Sequence, residues 1–408
     1  MIIEPKQITI KGKFWDVFLY KNFLYLFLYE SKEIKIIEWD KFIMSCVKNK
    51  KAKLAYQCSF FNADYLYKLV DNKIFEDNDF KNLLLKKFKL MQYVEVDLNN
   101  QIFNGIMHGN KKTIFPFYFS DIDIYNKVMY ISGDSGVYKA KIQNKKYKQK
   151  SYLTFENIEE TNKLNVCSMK VLRNKIIMST QDDGLYEYDN YIAEHDLDYP
   201  SPLVQLCKKH SSFVNFNYSS ILSSSYIDKS IFLQRDYRKI ENEKKLEMYE
   251  KNKFNISDIF NDKENKGFYF SYNNKIYQIL KDTISYCLFN QSENTTEKVF
   301  YSIKKVYQSK GLEKSKIINA SVETFGVVIQ FNNKIIVLLS DGSLKEYSEN
   351  KDNKIVSYRT YPKSNCYTNQ LHIIYENKLD IISFNHDYFV NNNEKDFGIK
   401  YKYQKDEK

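Results

Sequence analysis

Five histidines, His108, His195, His210, His372 and His386, are the first candidates for acid–base or metal chemistry in this 408-residue chain. None stands in an HxH, HExxH or HxxxH arrangement, so the sequence points to no metal centre. His195 (AEHDLD) and His386 (FNHDYF) each precede an aspartate. That neighbour would allow a His-Asp couple, but polar turns account for it better. The six cysteines, Cys46, Cys58, Cys167, Cys207, Cys287 and Cys366, contain no CxxC pair, which argues against both a zinc site and a disulfide framework. Neither GxxxxGK[ST] nor GxGxxG is present, so nucleotide hydrolysis is not expected. No catalytic residue, metal ligand or cofactor emerges from these residue types.

The carboxylates that recur in a pattern are in turns: Gly133-Asp134-Ser135-Gly136, Gln181-Asp182-Asp183-Gly184 and Asp341-Gly342. Aspartate before glycine satisfies backbone N–H groups in a tight turn, which is a structural role. Such turns need strands on either side, and the flanks supply them. In Thr324–Ser348, TFGVVIQFNNKIIVLLSDGSLKEYS, two apolar β-branched runs meet at Asn332-Asn333, and Asp341-Gly342 leads into a third, alternating run. Turns of this type demand φ > 0, and they are the strongest short-range hairpin signal.

The same plan recurs at Phe14–Phe42, Ser120–Ile142 and Ser168–Asn190. Weaker copies are read at Asp64–Asp79 (turn at Asp71–Lys73), Ser219–Tyr237 (turn at Asp228-Lys229), Phe254–Leu280 and Gln370–Val390. The turn lysines Lys21, Lys73, Lys127, Lys175, Lys229, Lys275, Lys334 and Lys378 are spaced by 44 to 59 residues. A period of about 40–50 residues with several strands each is the signature of propeller blades. The expected fold is all-β, a β-propeller of seven or eight blades with short helical insertions. It occupies residues 1–395 as one domain, with insertions near 79–92 and 239–253 and a polar tail over 396–408. Phe80, Leu83, Leu84, Phe88 and Met91 fall at helical spacing with Asp79 as the cap. Lys239–Lys253 reads as a solvated helix or a long hairpin. His108-Gly109-Asn110 reads as a turn, and Gln7–Ile10 as an outer strand for the last blade.

The plan of apolar strand, turn, apolar strand, Ser-Asp-Gly and alternating strand resembles the WD-repeat and related β-propeller families. Trp39-Asp40 closes the first unit where such repeats carry their Trp-Asp pair. No copy has the Gly-His pair that opens a WD repeat, and the other units end Tyr138-Lys139, Tyr188-Asp189 and Tyr347-Ser348. The resemblance implies the fold, and propellers as a class serve many functions. In a propeller, Asp134, Asp182, Asp183 and Asp341 would lie on one rim, where they are the candidate partner-binding residues.

Composition narrows the partners. Lysines and arginines number 62 against 51 acids, a net charge of +11, but only Arg173, Arg235, Arg238 and Arg359 are arginines. Arginine is the residue for bidentate phosphate and base recognition. Tyr (35) and Phe (29) are abundant while Gly (11) and Pro (5) are scarce, a bias that fits an A+T-rich genome. Lys48–Lys53 (KNKKAK), Asn144–Lys150 (NKKYKQK) and Lys400–Lys405 (KYKYQK) are basic enough to follow a nucleic-acid backbone, but each also fits a solvated loop. The N-terminus lacks a signal-peptide apolar region, and the run Phe23–Tyr29 is far short of the roughly 20 residues that span a bilayer. The expectation is a cytoplasmic, non-catalytic scaffold that binds protein partners as a complex subunit, without cofactor or membrane. The alternatives are a small-ligand-binding or enzymatic propeller using its channel, and a basic nucleic-acid-associated subunit.

Overall fold

The structure is a computed structural model that describes residues 4–31, 33–61, 77–99, 103, 107–112, 119–147, 150–190, 193, 201–217, 220–225, 227–239, 246–264, 266–272, 275–281, 283–289, 304–308, 317–364 and 366–385. Its strands form seven sheets, six of four strands and one of five, and every step from one strand to its sequence neighbour within a sheet is antiparallel. This is a seven-bladed β-propeller.

After β1 (Lys6–Lys11), blade 1 begins with β2 (Phe14–Tyr20), β3 (Phe23–Leu28) and β4 (Glu33–Glu38). The chain then leaves the sheet through α1 (Trp39–Ser45), α2 (Lys53–Phe60), α3 (Asn78–Lys89) and β5 (Val94–Asp97). It returns for the fourth strand, β6 (Met107–Lys112). Blade 2 is β7 (Phe119–Tyr125), β8 (Val128–Gly133), β9 (Gly136–Tyr147) and β10 (Lys150–Asn162). Blade 3 is β11 (Ser168–Leu172), β12 (Lys175–Ser179), β13 (Leu185–Asp189) and β14 (Leu203–Cys207). Blade 4 is β15 (Phe213–Asn217), β16 (Ser220–Ser224), β17 (Ile231–Lys239) and β18 (Leu246–Asn255). Blade 5 is β19 (Phe268–Tyr272), β20 (Lys275–Leu280), β21 (Thr283–Leu288) and β22 (Lys304–Gln308). Blade 6 is β23 (Ile317–Glu323), β24 (Gly326–Phe331), β25 (Lys334–Leu339) and β26 (Leu344–Ser348). Blade 7 is β27 (Ile355–Thr360), β28 (Gln370–Tyr375) and β29 (Lys378–Ser383), completed by β1 and then β5.

By contacts the chain divides into two compact units. One holds blades 1, 6 and 7 with the helices, and the other holds blades 2 to 5. In the first, β1 pairs antiparallel with β29 from Lys6↔Ser383 to Lys11↔Lys378, so the two ends of the chain meet in one sheet. The Gln7–Ile10 segment is therefore an outer strand of the last blade. β5 extends the sheet by pairing in parallel with β1.

Buried apolar residues run through the second strand of each blade. In blade 6 every residue of β24 is buried, as are the last five of β25, and Val328, Ile335 and Val337 pack with Leu371 and Ile373 of blade 7. The innermost strands carry polar residues that serve the next blade. Asp121 Oδ2 accepts from Met169 N at 2.9 Å, Asp123 Oδ2 from Val171 N at 2.9 Å, and Asn215 Oδ1 from Ser271 N at 3.0 Å. These carboxylates and the amide thereby satisfy N–H groups on strand edges that have no ladder partner of their own.

Three readings of the sequence shift by one strand. The turns at Asp228-Lys229, Asn332-Asn333 and Glu376–Lys378 were expected between first and second strands, but they precede or join third strands. Thr324–Ser348 accordingly supplies strands two to four of blade 6, with β23 as the first. The turn chemistry is the same at either end of a meander, so it identifies a hairpin without giving the hairpin's place in the sheet. Blade 4 also lacks a described tight turn of Asn-Lys type before β16. His108-Gly109-Asn110 is part of β6 rather than a turn. Of the alternatives for Lys239–Lys253, the hairpin holds, because β17 pairs with β18 from Ile231↔Asn255 to Lys239↔Leu246. The turn of the Asp64–Asp79 copy, the tail 396–408, His195, His386 and Lys400–Lys405 lie outside the described residues.

Candidate partner-binding surface

The largest departure from blade geometry is the segment between β4 and β6. Sequence reasoning found α3 there but not α1 or α2. The signal was present: Trp39, Phe42, Ile43 and Cys46, then Ala52, Ala55, Tyr56 and Phe60, recur at helical spacing, and all are buried. The cap of α3 is Asp77, whose Oδ1 accepts from Asp79 N at 2.7 Å and Phe80 N at 3.2 Å, two residues earlier than the sequence suggested.

The helices are anchored by their ends. The last carbonyls of α2 have no partner within the helix, and side chains from blades 1 and 7 supply them. Trp39 Nε1 donates to Phe60 O at 2.6 Å, and Gln370 Nε2 to the same oxygen at 2.9 Å. Asn369 Nδ2 and Ser383 Oγ donate to Ser59 O at 3.0 and 2.7 Å. Trp39, whose Trp-Asp pair suggested the end of a repeat, instead opens α1 and ties the insertion to the sheet.

The anchor continues as a relay of buried bonds. Leu19 N donates to Tyr361 Oη at 3.1 Å, Tyr361 Oη lies 3.0 Å from His372 Nδ1, and His372 Nε2 lies 3.1 Å from Gln370 Oε1. Since Gln370 already gives its amide N–H to Phe60 O, its Oε1 accepts. His372 is then the neutral Nε2–H tautomer, with Nδ1 accepting from the tyrosine hydroxyl. Complete burial pushes the His372 pKa down to about 3, in keeping with that neutral ring. It is a structural histidine.

The outer side of α3 contrasts with this anchored side. Leu84 and Phe88 are buried, and α3 packs on α2 and on the short turn Lys50–Ala52. Leu83 (46% exposed), Leu90 (38%) and Tyr93 (55%) face outward. Lys86 and Lys89 are exposed beside them, with Lys81 and Lys87 half-buried. From Trp39 to Gln92 the sequence holds eleven lysines against six acidic residues, so this segment carries nearly half of the net charge. Lys50, Lys51 and Lys53 of the KNKKAK stretch belong to it.

The four acidic candidates divide by position. Asp134 lies in the turn between β8 and β9, and Asp182 and Asp183 in the turn between β12 and β13, second turns of blades 2 and 3. Asp341 lies in the third turn of blade 6, between β25 and β26, at the opposite end of its blade from a second turn. All four are exposed. Asp341 Oδ1 accepts from Ser343 N and Oγ at 3.0 and 2.7 Å, and Asp134 Oδ1 from Ser135 Oγ at 3.1 Å, so local turn bonds occupy both. Among the described residues no group of three His, Cys, Asp or Glu side chains is arranged to hold a metal ion.

Other reactive groups are committed to structure. Two arginines are in ion pairs, Arg235 with Glu187 and Arg359 with Asp16. His210 Nδ1 meets Ser225 Oγ at 2.9 Å, but that oxygen also accepts from Ile227 N and Asp228 N. Asp228 bonds the backbone N of His210 rather than the ring, which is the geometry of a capped turn and not of a Ser-His-Asp relay. Burial raises the thiols, Cys46 and Cys287 to about 12 and Cys58 and Cys167 to about 11, which keeps them protonated and unreactive. No helix among the described residues is long and apolar enough to cross a membrane.

No model of a known protein family matches the chain, and no curated protein matches it. Among solved structures, the computationally designed Ika8 protein aligns with 93% of this chain and 100% of its own, at 8% identity and a TM-score of 0.45. Hsv2 of Kluyveromyces lactis covers 63% of this chain and 70% of its own, at 12% identity and a TM-score of 0.39. The β-propeller domain of Cps50 (Swd1) of Myceliophteria thermophila covers 67% of this chain and 98% of its own, at 9% identity and a TM-score of 0.39. The seven meander sheets, with their recurring Asn-Lys and Asp-Gly turns, make this chain a seven-bladed β-propeller.

Proposed function

We propose that this chain is a non-catalytic protein–protein interaction scaffold, a cytoplasmic propeller subunit of a larger complex. The observation that carries the reading is the helical insertion of blade 1. Its inner side is held by buried hydrogen bonds from Trp39, Asn369, Gln370 and Ser383, while α3 and its C-terminal end leave Leu83, Leu90 and Tyr93 exposed to solvent. A rigid mount with an exposed apolar and charged face is what a docking element needs, since little conformational entropy is lost on binding. In this reading the exposed carboxylates Asp134, Asp182, Asp183 and Asp341 are further contacts for protein partners.

The test is affinity capture of the tagged full-length chain from its native host after mild crosslinking. Recovery of at least one protein at near-equal stoichiometry is expected. Capture of none, at expression levels where the chain is folded, would overturn the reading.

A further inference from the structure

We infer that the outer face of α3 docks an acidic amphipathic helix of a partner protein, an inference that rests on the scaffold reading and names the chemistry of the partner. Leu83 and Leu90, the residue that caps the helix, are seven residues apart, two helical turns on one face, and exposed Tyr93 follows just beyond the helix end. Over the seven residues from Leu83 to Leu90 the stripe is about 10 Å long, the reach of two turns of a partner helix. Lys86 and Lys87, at the third and fourth positions after Leu83, sit between the two leucines, and Lys89 adjoins Leu90.

That interleaving selects the occupant. A helix that lies in a lipid interface keeps an unbroken apolar strip for the acyl layer and its lysines at the borders. Here lysines interrupt the strip at its centre. The apolar side chains that would widen it, Leu84 and Phe88, are already buried against the rest of the insertion. Nucleic acid is disfavoured by the two exposed leucines and by the absence of arginine from the whole Trp39–Gln92 segment. A helix with leucines spaced to meet Leu83 and Leu90, and glutamates between them, matches both the apolar and the charged positions. Charge complementarity then fixes its register and orientation. The lysines at the C-terminal end of α3 also lie near its negative dipole end, where they stabilise the free helix. The face is therefore well formed before any partner arrives.

The probe is a synthetic 18-residue helix with leucine at i, i+3 and i+7 and glutamate at the flanking positions, read by fluorescence anisotropy on the full-length chain. Two controls accompany it: the same peptide with lysine for glutamate, and vesicles of phosphatidylcholine with 30% phosphatidylserine as about one lipid in three. Expected are micromolar binding of the acidic peptide, at least tenfold weaker binding by L83E/L90E and by K86E/K87E/K89E, and neither control bound comparably. Because Leu83, Leu90, Lys86 and Lys89 are exposed and Lys87 only half-buried, circular dichroism and melting temperature should stay close to the wild type. Failure of the acidic peptide to bind, equal binding by the variants, or tighter binding to the vesicles would overturn the inference. Capture from the host with L83E/L90E separates it from the scaffold reading. Unchanged recovery of the wild-type partner overturns the α3 face alone, whereas absence of any partner for the wild type overturns the scaffold.

Discussion

The Arg359 guanidinium, on the innermost strand of blade 7, grips the Asp16 carboxylate on the innermost strand of blade 1 through two nitrogens. Nε donates to Oδ1 at 2.8 Å and the second nitrogen, Nη2, donates to Oδ2. Asp16 Oδ1 also accepts from Val17 N at 2.7 Å, and the carboxylate is buried. A fork of this kind satisfies a buried charge that would otherwise be costly. Arg359→Ala should therefore destabilise the unit of blades 1, 6 and 7 by roughly 3–5 kcal/mol, since it leaves the aspartate buried and unpaired. Arg359→Met with Asp16→Leu should lose less than either single change. Urea denaturation of the three variants checks the order; a double variant worse than both singles would refute it.

The N-terminal strand should be essential to the same unit. β1 places Ile8 and Ile10 in the core and gives Thr9 Oγ1 to Asp380 Oδ1 at 2.6 Å, besides its six-residue ladder with β29. Removing residues 1–12 exposes the edges of both β29 and β5. The melting temperature should fall by roughly 10 °C or more, judged from the buried isoleucines alone. A truncated chain that melts at the wild-type temperature would show that the strand is dispensable.

Two buried groups should tilt stability with pH in opposite directions. Glu323 is fully buried, neither carboxyl oxygen has a hydrogen-bond partner, and burial pushes its pKa up to about 8. The nearby hydroxyls of Thr360 and Ser321 favour the charged form, but less than burial opposes it. Between the ordinary carboxylate range and pH 8 the folded chain thus holds a proton that the unfolded chain has released. Stability should fall as pH rises through that window. Glu323→Gln should remove this slope and stabilise the protein at pH 8 by about 1–3 kcal/mol. His372, held down to about 3, does the reverse: the unfolded chain binds the proton first, so stability falls as pH drops from about 6.5 to 3. Melting temperatures of wild type and Glu323→Gln from pH 5 to 8.5 test the first effect. Parallel curves would count against it.

Glycines in similar turns should differ in tolerance. Gly184 (φ +96°) and Gly342 (φ +88°) both follow aspartate in turns, yet a Cβ at Gly184 would sit 2.1 Å from Cys207 O while one at Gly342 meets nothing within 4 Å. Gly342→Ala should cost about 1 kcal/mol for the backbone strain alone, and Gly184→Ala clearly more, because backbone must move. Comparing the two melting temperatures is a direct check.

The local grammar of this fold is legible along the chain. Apolar runs and φ-positive turns at Lys21-Asn22 and Asn126-Lys127 specify hairpins from their own residues, as their positive φ values show. Helical spacing predicts α3, and an alternating N-terminal segment foretells β1. What stays hidden is anything a turn does not encode. Three turns fall one strand further along their sheets than expected, because first and second turns of a meander make the same backbone demand. Seven sheets are formed by the described residues, and one of them begins with β23, in a segment without turn signals.

The candidate surface divides in the same way. Basic, apolar α3 is visible as a periodic pattern, and Asp134, Asp182, Asp183 and Asp341 as turn residues. That Trp39, Gln370 and His372, more than 330 residues apart at the extremes, converge on the end of α2 is invisible to any local reading. The sequence by itself determined hairpins, helices and charge, since these arise from neighbouring residues through backbone sterics and side-chain spacing. Only the tertiary structure decided which polar residues are buried and spent on one another, and which face of α3 remains exposed, because burial depends on contacts between segments far apart in the chain.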